Sequence, residues 1–262
     1  MKRIILFLLL LLSIQPLAFS DLQLLNRFPL KVGEKMTFSV KILGIYIGDQ
    51  IANLDKISSY QGRKILVGAA SLKTTDFISK LYTVDDHEVT FFTLERFIPL
   101  YYEKWVNEGN WHDHIQFYFN PGAKQMDYFA AQNNNQKVNL SFEESLRNYF
   151  TLIFSVRALD YQYYIDRNVP VEIDYLLGTS VKKSLFKVSR SKMRRNDKDI
   201  DIFFLQEQGG IGLNFKIQDN LERIPLELTI PAYKVIGYKT IDIYVELKEY
   251  KAGDGETVYT NP

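Results

Sequence analysis

The sequence predicts a mainly β fold, in which a curved antiparallel sheet or open β-barrel packs around one buried helix. Most of the chain consists of short segments in which apolar and polar residues alternate, the period of a half-buried strand. Turn residues separate these segments, as expected for a meander of hairpins. The exception is a stretch at about residues 142–159, which is apolar nearly all round and repeats its apolar residues at helical spacing.

The first predicted strand shows the pattern most clearly, because residues 36–42 alternate apolar and polar side chains without interruption. Polar turns such as Glu108-Gly109-Asn110 and Asn120-Pro121-Gly122 then separate later strands. After a strand that ends near residue 57, further strands are predicted at 63–72, 89–94, 100–106, 111–119, 125–131, 169–177, 181–189, 199–206, 213–218, 223–229 and 238–250. We expect Ala252 to Pro262 to form a frayed tail.

The buried helix is predicted from its start signal and its composition. Ser141 and Glu144 have the spacing of a capping box, in which each side chain bonds the backbone amide of the other residue. From there, apolar residues recur at three- and four-residue intervals to about Leu159. A shorter amphipathic segment, Asp76 to Leu81, predicts a second helix.

The N-terminus predicts export. Lys2 and Arg3 precede an unbroken apolar run from Ile4 to Leu12, and Ala18-Phe19-Ser20 places small residues where a signal peptidase cuts. The apolar run is too short to span a bilayer stably. We therefore expect a cleaved signal peptide over residues 1–20 and a single β-rich domain over 21–262, with its core at about 27–250. The mature protein would not span a membrane and would be periplasmic or secreted in a bacterium.

Composition excludes several classes of function. The 262 residues include 32 basic and 31 acidic side chains, so no net charge draws the protein to nucleic acid. The absence of cysteine excludes disulfides, so stability must come from packing. It equally excludes a lipid anchor on a cysteine after the signal peptide.

Reactive residues are few. His112 and His114 lie two apart on a predicted strand and therefore share a face, which would suit a metal pair. The remaining histidine, His87, lies in a predicted polar turn, so no third ligand is identifiable. There is no cysteine nucleophile and no Gly-x-Ser-x-Gly motif. We therefore expect a protein that is not an enzyme and needs neither a metal nor another cofactor.

The candidate ligand-binding residues are five. Tyr102, Trp105, Trp111 and Phe117 crowd one predicted hairpin, either as plain core or as a concave apolar surface that holds an acyl chain. Arg157 stands near the end of the predicted helix. If it points inward, a partner or ligand must offset its desolvation, whereas at a helix end it interacts favourably with the helix dipole. Both alternatives stay open.

A basic stretch from Lys182 to Arg195 also has two interpretations. Seven basic side chains at this density would suit the phosphate groups of a lipid or lipopolysaccharide. Alternatively, the stretch is a solvated hairpin tip whose charge is neutralised by Asp197, Asp199 and Asp201.

Several segments, taken in order, resemble bacterial domain-of-unknown-function family 3108. They are 28–38 with its Gly33-Glu34 pair, 43–48 with Gly44 and Gly48, 81–86, 99–102, Asp219-x-x-x-Arg223-Ile224-Pro225, and Ile236-Gly237. The helix resembles the family's Asp-x-x-Ser-x5-Arg motif, although this chain has Asn148-x-x-Thr151-x5-Arg157. The resemblance covers most of 27–250. It implies an exported, mostly β protein of the cell envelope with no assigned activity, and it supplies no catalytic residues.

Three functions compete at this point. The first is a non-enzymatic periplasmic protein whose curved sheet binds an apolar or lipid-like ligand. The second is a structural or assembly factor of the envelope that binds a protein partner through a sheet edge or an aromatic patch. The third is a hydrolase or metal enzyme that uses His112 and His114. The lack of a convergent set of reactive residues favours the first two.

Overall fold

The computed structural model describes residues 22–142, 146–232 and 241–260. The predicted signal peptide lies outside these residues, as do Glu144 of the predicted capping box and the Ile236-Gly237 pair. Within the described residues, no helix is both long and apolar enough to cross a membrane.

Most strands belong to one antiparallel sheet. The strands are β1 (Pro29–Lys31), β2 (Lys35–Ile42), β3 (Ile45–Tyr60), β4 (Arg63–Thr74), β5 (Asp85–Thr93), β6 (Pro99–Glu108), β7 (Trp111–Asn120), β8 (Gln125–Ala130), β9 (Val138–Ser141), β10 (Val171–Leu177), β11 (Ser180–Arg195), β12 (Lys198–Gln208), β13 (Asn214–Gln218), β14 (Pro225–Ala232), β15 (Ile241–Lys251) and β16 (Thr257–Tyr259). Fourteen of them form a sheet in the order β10-β11-β12-β13-β14-β15-β2-β3-β4-β5-β6-β7-β8-β9, while β1 pairs with β16.

The predicted fold class is confirmed: the protein is mainly β, with one large antiparallel sheet that is not closed. The strands β9 and β10 are the two edges of this sheet. Arg147, which follows β9 in the chain, lies at the β10 edge. Its amide donates to the Asp174 carbonyl at 2.7 Å, and its carbonyl accepts the Leu176 amide at 2.8 Å. This single parallel bridge partly satisfies the β10 edge without closing the barrel.

Three helices complete the described fold: α1 (Asp76–Ser79), α2 (Tyr149–Ala158) and α3 (Tyr161–Arg167). Helix α1 lies where the short amphipathic segment predicts it, whereas α3 has no counterpart in the sequence prediction. The predicted start of the long helix is wrong, because Ser141 ends β9 and α2 begins after Asn148. Asn148 and Thr151 form the capping box, with the Thr151 amide donating to Asn148 Oδ1 at 2.9 Å.

Helix α2 is the buried centre of the fold. Every residue from Phe150 to Ala158 is buried, including Arg157. The rings of Phe150 and Phe154 pack on Phe92 of β5, with centroid distances of 5.8 and 6.1 Å. On β4, a Cβ added to Gly68 would come within 2.0 Å of the Phe150 ring, so only glycine lets the helix approach this strand. The sheet therefore curves around α2, as the sequence predicts.

The predicted frayed tail is wrong. Residues Thr257–Tyr259 form β16, which pairs with β1, and Thr260 is only 1% exposed. The Thr260 hydroxyl accepts the Phe28 amide at 2.9 Å and donates to the Leu25 carbonyl at 2.9 Å. Because this strand is three residues long and its partner lies more than 200 residues away, periodicity could not reveal it.

Candidate functional site

The concave face of the sheet carries two adjacent pockets with lining residues in common, which we call the two lobes of the inner cavity. The first lobe has a volume of about 340 Å³ and the second about 320 Å³. Both lobes are lined by Tyr102, Lys104, Tyr149, Leu176 and Gly178. Volumes of this size are typical of sites for small organic ligands.

The two lobes differ in chemistry. The first is walled by aliphatic side chains of β2, β3, β4, β14 and β15, namely Val40, Ile47, Ala70, Leu72, Ile230, Ile243 and Val245. The second is walled by side chains of β6, β7 and β8, namely Val106, Trp111, Ile115, Phe117 and Tyr128. Trp111 and Leu177 are 42% and 46% exposed, so they mark the mouth of the cavity.

Strand alternation explains which side chains enter the cavity. On β6, Tyr102 and Lys104 face inward, so the intervening Glu103 faces outward. On β7 the same alternation turns Trp111 and Phe117 inward. Three of the five predicted ligand-binding residues, Tyr102, Trp111 and Phe117, therefore line the inner cavity.

Trp105 does not join them. It lies three residues after Tyr102 and thus on the outer face of β6, where it stacks on His114 with a centroid distance of 5.3 Å. His114 in turn places Nε2 2.6 Å from Glu103 Oε1. Residues an odd number of positions apart face opposite sides of a strand, so the spacing of Tyr102 and Trp105 in the sequence already places them on opposite faces.

The histidines form no metal site in the part of the chain that the structure describes, where no group of three or more His, Asp or Glu side chains could hold an ion. His112 and His114 share the outer face of β7, as their spacing predicts. The prediction that His87 lies in a turn is wrong, because Asp85–Thr93 is strand β5. There His87 Nε2 lies 3.2 Å from Asp85 Oδ1.

Arg157 points inward and meets a partner within the protein. Its Nη1 and Nη2 donate to the two carboxylate oxygens of Glu34 at 2.6 and 3.2 Å, and Nη2 also donates to the Glu222 carbonyl at 3.2 Å. The Tyr250 hydroxyl donates to Glu34 Oε2 at 3.3 Å. Burial lowers the pKa of Arg157, and the Glu34 carboxylate outweighs burial, so that this pKa is raised overall. Arg157 lies in the core, apart from the inner cavity.

Several polar side chains, of which the sequence analysis singled out only Tyr102, meet where the two lobes adjoin. The Tyr102 hydroxyl donates to Glu88 Oε2 at 2.8 Å, and Lys104 Nζ lies 2.7 Å from Asp86 Oδ2. The Tyr149 hydroxyl, at the start of α2, donates to Gln50 Oε1 at 2.8 Å. Asp86 and Glu88 are in the segment that looks like a polar turn, and only its pairing with β6 turns them into the cavity.

Glu88 is the unusual member of this group, because Asp86 Oδ2, which also accepts no hydrogen bond among the described residues, has Lys104 Nζ at 2.7 Å as its counter-charge. The Glu88 Oε1 atom is buried and has no hydrogen-bond partner among the described residues. Burial raises the pKa of Glu88, and the hydrogen bond from Tyr102 and the charge of Lys104 reverse only part of that shift. Burial and the Glu88 carboxylate together raise the pKa of Tyr102 well above its ordinary value. The cavity thus contains a carboxyl group that is only half satisfied.

The basic stretch Lys182 to Arg195 lies within strand β11 and is not a hairpin tip, since the turn is at Asn196 and Asp197. Acidic residues do face it, because Lys192 Nζ lies 3.9 Å from Asp201 Oδ1 and Arg194 Nη2 lies 3.6 Å from Asp197 Oδ1. Both pairs are exposed at the surface and contribute little to stability.

The fold and the cavity define a class of protein: an open, β-barrel-like domain with a two-lobed cavity on its concave face. The structure is similar to the crystal structure of a β-barrel-like protein of domain of unknown function 1849 from Brucella abortus, with a TM-score of 0.54 and 8% sequence identity. The similarity covers 86% of this chain and 99% of that chain, and at this identity it concerns the fold alone.

The comparison with this solved structure supports a β-barrel-like fold. No protein-family model matches the chain, and no curated protein matches it. The resemblance to family 3108 in particular receives no support from these comparisons.

Proposed function

We propose that this protein is a non-enzymatic binding protein of the bacterial envelope, which holds an apolar or lipid-like small molecule in the inner cavity. The observation that carries the proposal is that the two lobes lie side by side and share lining residues, Tyr102 and Tyr149 among them. An elongated molecule can lie against the aliphatic wall of the first lobe, pass Tyr102 and Tyr149, and reach the aromatic wall of the second. Burial of apolar surface supplies about 25 cal/mol per Å², so a hydrocarbon chain is the ligand that these walls favour.

The location in the envelope is part of the proposal. The predicted signal peptide over residues 1–20 supports export. The ordered motifs that resemble family 3108, such as Gly33-Glu34 and Asp219-x-x-x-Arg223-Ile224-Pro225, support the same location.

Binding without chemical conversion fits the titratable groups of the cavity. Asp86 is paired with Lys104, and Glu88 accepts a hydrogen bond from Tyr102. The Tyr102 hydroxyl does have a carboxylate within hydrogen-bond reach, but burial and the Glu88 charge raise the pKa of Tyr102, so the pair keeps the phenol protonated and does not activate it as a nucleophile.

The test uses the two tryptophans of the chain. Replacing Trp105→Phe leaves Trp111, in the cavity wall, as the single tryptophan. Titration with 1-dodecanol should then give a saturable change in emission. Ala70→Phe fills the first lobe and should abolish that change, whereas Ala69→Phe, on the opposite face of β4, should retain it.

The same protein purified from its own envelope should carry a bound small molecule in native mass spectrometry. A ligand-free spectrum together with no fluorescence response to dodecanol would overturn the proposal. A response that Ala70→Phe does not change would mean that the inner cavity is not the site.

A second function, an assembly factor that binds a protein partner, is favoured by exposed apolar side chains at one end of the sheet. Leu43 and Ile45 lie at the β2–β3 turn, and Phe77 and Leu81 lie in or next to α1. A hydrogen bond of 2.9 Å from the Thr75 amide to the Ile47 carbonyl joins the two segments. A photo-cross-linker at position 77 should capture one defined envelope protein in cells, and capture of none would remove this candidate.

A further inference from the structure

Three side-chain oxygens of the inner cavity have acceptor capacity that no described hydrogen bond uses. The hydroxyl protons of Tyr102 and Tyr149 are given to Glu88 and Gln50, so both phenolic oxygens are left with acceptor capacity. Glu88 Oε1 is a further acceptor, buried and without a partner among the described residues. An unsatisfied buried polar atom of this kind destabilises the fold. The group that complements these acceptors is a hydrogen-bond donor.

The charged side chains of the cavity also favour a cationic ligand. Among the described residues that line the cavity, the carboxylates are Asp86, Glu88 and Asp113, and the cation is Lys104. Lys104 is already engaged, with Nζ 2.7 Å from Asp86 Oδ2 and 4.0 Å from Glu108 Oε1. A ligand carboxylate or phosphate would meet this excess of negative charge, whereas a ligand cation would reduce it.

The position of the acceptors fixes the shape of the ligand. Glu88 and Gln50 line the first lobe together with its aliphatic wall, and Tyr102 and Tyr149 line both lobes. A polar group bound here therefore has hydrocarbon-binding surface next to it. The complementary molecule is an amphiphile with a compact, donor-rich head.

We propose that the inner cavity binds a cationic amphiphile, a primary alkylammonium in its simplest form, whose NH₃⁺ group pairs with the Glu88 carboxylate and the neighbouring phenolic oxygens while its chain fills the aliphatic lobe. An ammonium group carries three donors and no acceptor, which matches the surplus in the cavity. This inference rests on the proposed function and specifies the ligand class for the same site.

The experiment compares three probes that share one chain and differ in the head group: dodecylamine, 1-dodecanol and dodecanoate, each below its micelle concentration. The readout is Trp111 emission in the Trp105→Phe protein, checked by calorimetry. Dodecylamine should bind at least about tenfold more tightly than dodecanol, a difference of about 1.4 kcal/mol. Dodecanoate should bind most weakly.

Substitution at Glu88 assigns the preference to its carboxylate. Glu88→Gln keeps the shape of the side chain and removes the charge, so the tenfold advantage of dodecylamine over dodecanol should disappear while dodecanol still binds. The matched control is Glu103→Gln, a carboxylate on the outer face of β6 that contacts His114 and Gln116. It should leave the order of the three probes unchanged.

The outcomes separate the two proposals. Equal binding of the three probes, or tightest binding of dodecanoate, would overturn the ligand class and leave the binding function standing. Binding of none would overturn the proposed function itself. An amine preference that survives Glu88→Gln would remove Glu88 from the site. The comparison of probes in the Trp105→Phe protein decides the ligand class even if Glu88→Gln fails to fold.

Discussion

The ion pair between Arg157 and Glu34 offers the sharpest test of how the core is held together. Both side chains are almost fully buried, at 1% and 2% exposure. Replacing Glu34→Gln keeps the size of the side chain but leaves the Arg157 cation without its counter-charge. Removing one partner of a buried pair costs about 3–5 kcal/mol, because the remaining charge has already lost its hydration.

The local contacts support the upper part of that range. Arg157 keeps one hydrogen bond to the Glu222 carbonyl, and its Nε atom has no partner among the described residues. The rings of Phe154 and Phe28 lie 5.2 and 5.7 Å from the guanidinium carbon and compensate only in part. Each desolvated cation–ring contact contributes about 2 kcal/mol, and both contacts are present in the wild-type protein and in the variant alike.

Urea unfolding, followed by circular dichroism, measures the loss. We expect Glu34→Gln to lower the free energy of unfolding by about 3–5 kcal/mol and the double variant Glu34→Gln/Arg157→Met to recover much of it, since no isolated charge is then buried. The control is Glu256→Gln, which breaks an exposed pair with Lys64 and should cost less than about 1 kcal/mol. A loss below 1 kcal/mol for Glu34→Gln, or a double variant less stable than the single one, would refute the reasoning.

Three further predictions concern stability. Because the pKa of Glu88 is raised in the folded protein, the fold loses stability as pH rises from the ordinary glutamate pKa to that raised value. The Glu88→Gln variant should therefore have a higher urea midpoint than the wild type at pH 7 but not at pH 4. A lower midpoint for the variant at both pH values would contradict this. Gly68→Ala should cost about 1–3 kcal/mol, because its Cβ meets the Phe150 ring, whereas Gly122→Ala, whose Cβ has free space, should be near neutral in the same assay. Thr260→Val should cost about 1–3 kcal/mol and speed proteolysis of the C-terminal segment; unchanged proteolysis would mean that the two hydrogen bonds do not hold it.

The fold class could be predicted well because a half-buried strand alternates apolar and polar residues, and this alternation is visible in the sequence. The long helix was placed correctly in the core, but its predicted start was too early. Ser141 and Glu144 have the same cap spacing as Asn148 and Thr151, and the choice depends on Ser141 pairing with Gln125 of β8 and on Arg147 bridging to β10. Local sequence patterns do not reveal such long-range contacts.

The cavity was predicted only in part for a related reason. Aromatic residues mark the hairpin, and strand parity alone would have separated Tyr102 from Trp105. Glu88 carries no such mark, because a run of polar residues before a strand resembles a turn. Its inward position follows from the register of β5 against β6, where Glu88 lies opposite Lys104.

Three glutamates enclosed by this fold show why Glu88 stands apart. Glu34 is paired with Arg157, and Tyr250 donates to the same carboxylate. Glu207 Oε2 accepts the amides of Gly212 and Leu213 at 2.6 and 2.7 Å, while its Oε1 accepts the Tyr175 hydroxyl at 3.2 Å. Both oxygens of each carboxyl are thus satisfied, as is general for buried polar groups. Glu88 departs from this rule, because its Oε1 has no donor among the described residues and the residue lines a cavity. A ligand that supplies the donor would turn this oxygen into a binding feature. A donor-bearing ligand that pairs with the Glu88 carboxylate would then recover on binding the free energy that the unpaired Oε1 costs the fold.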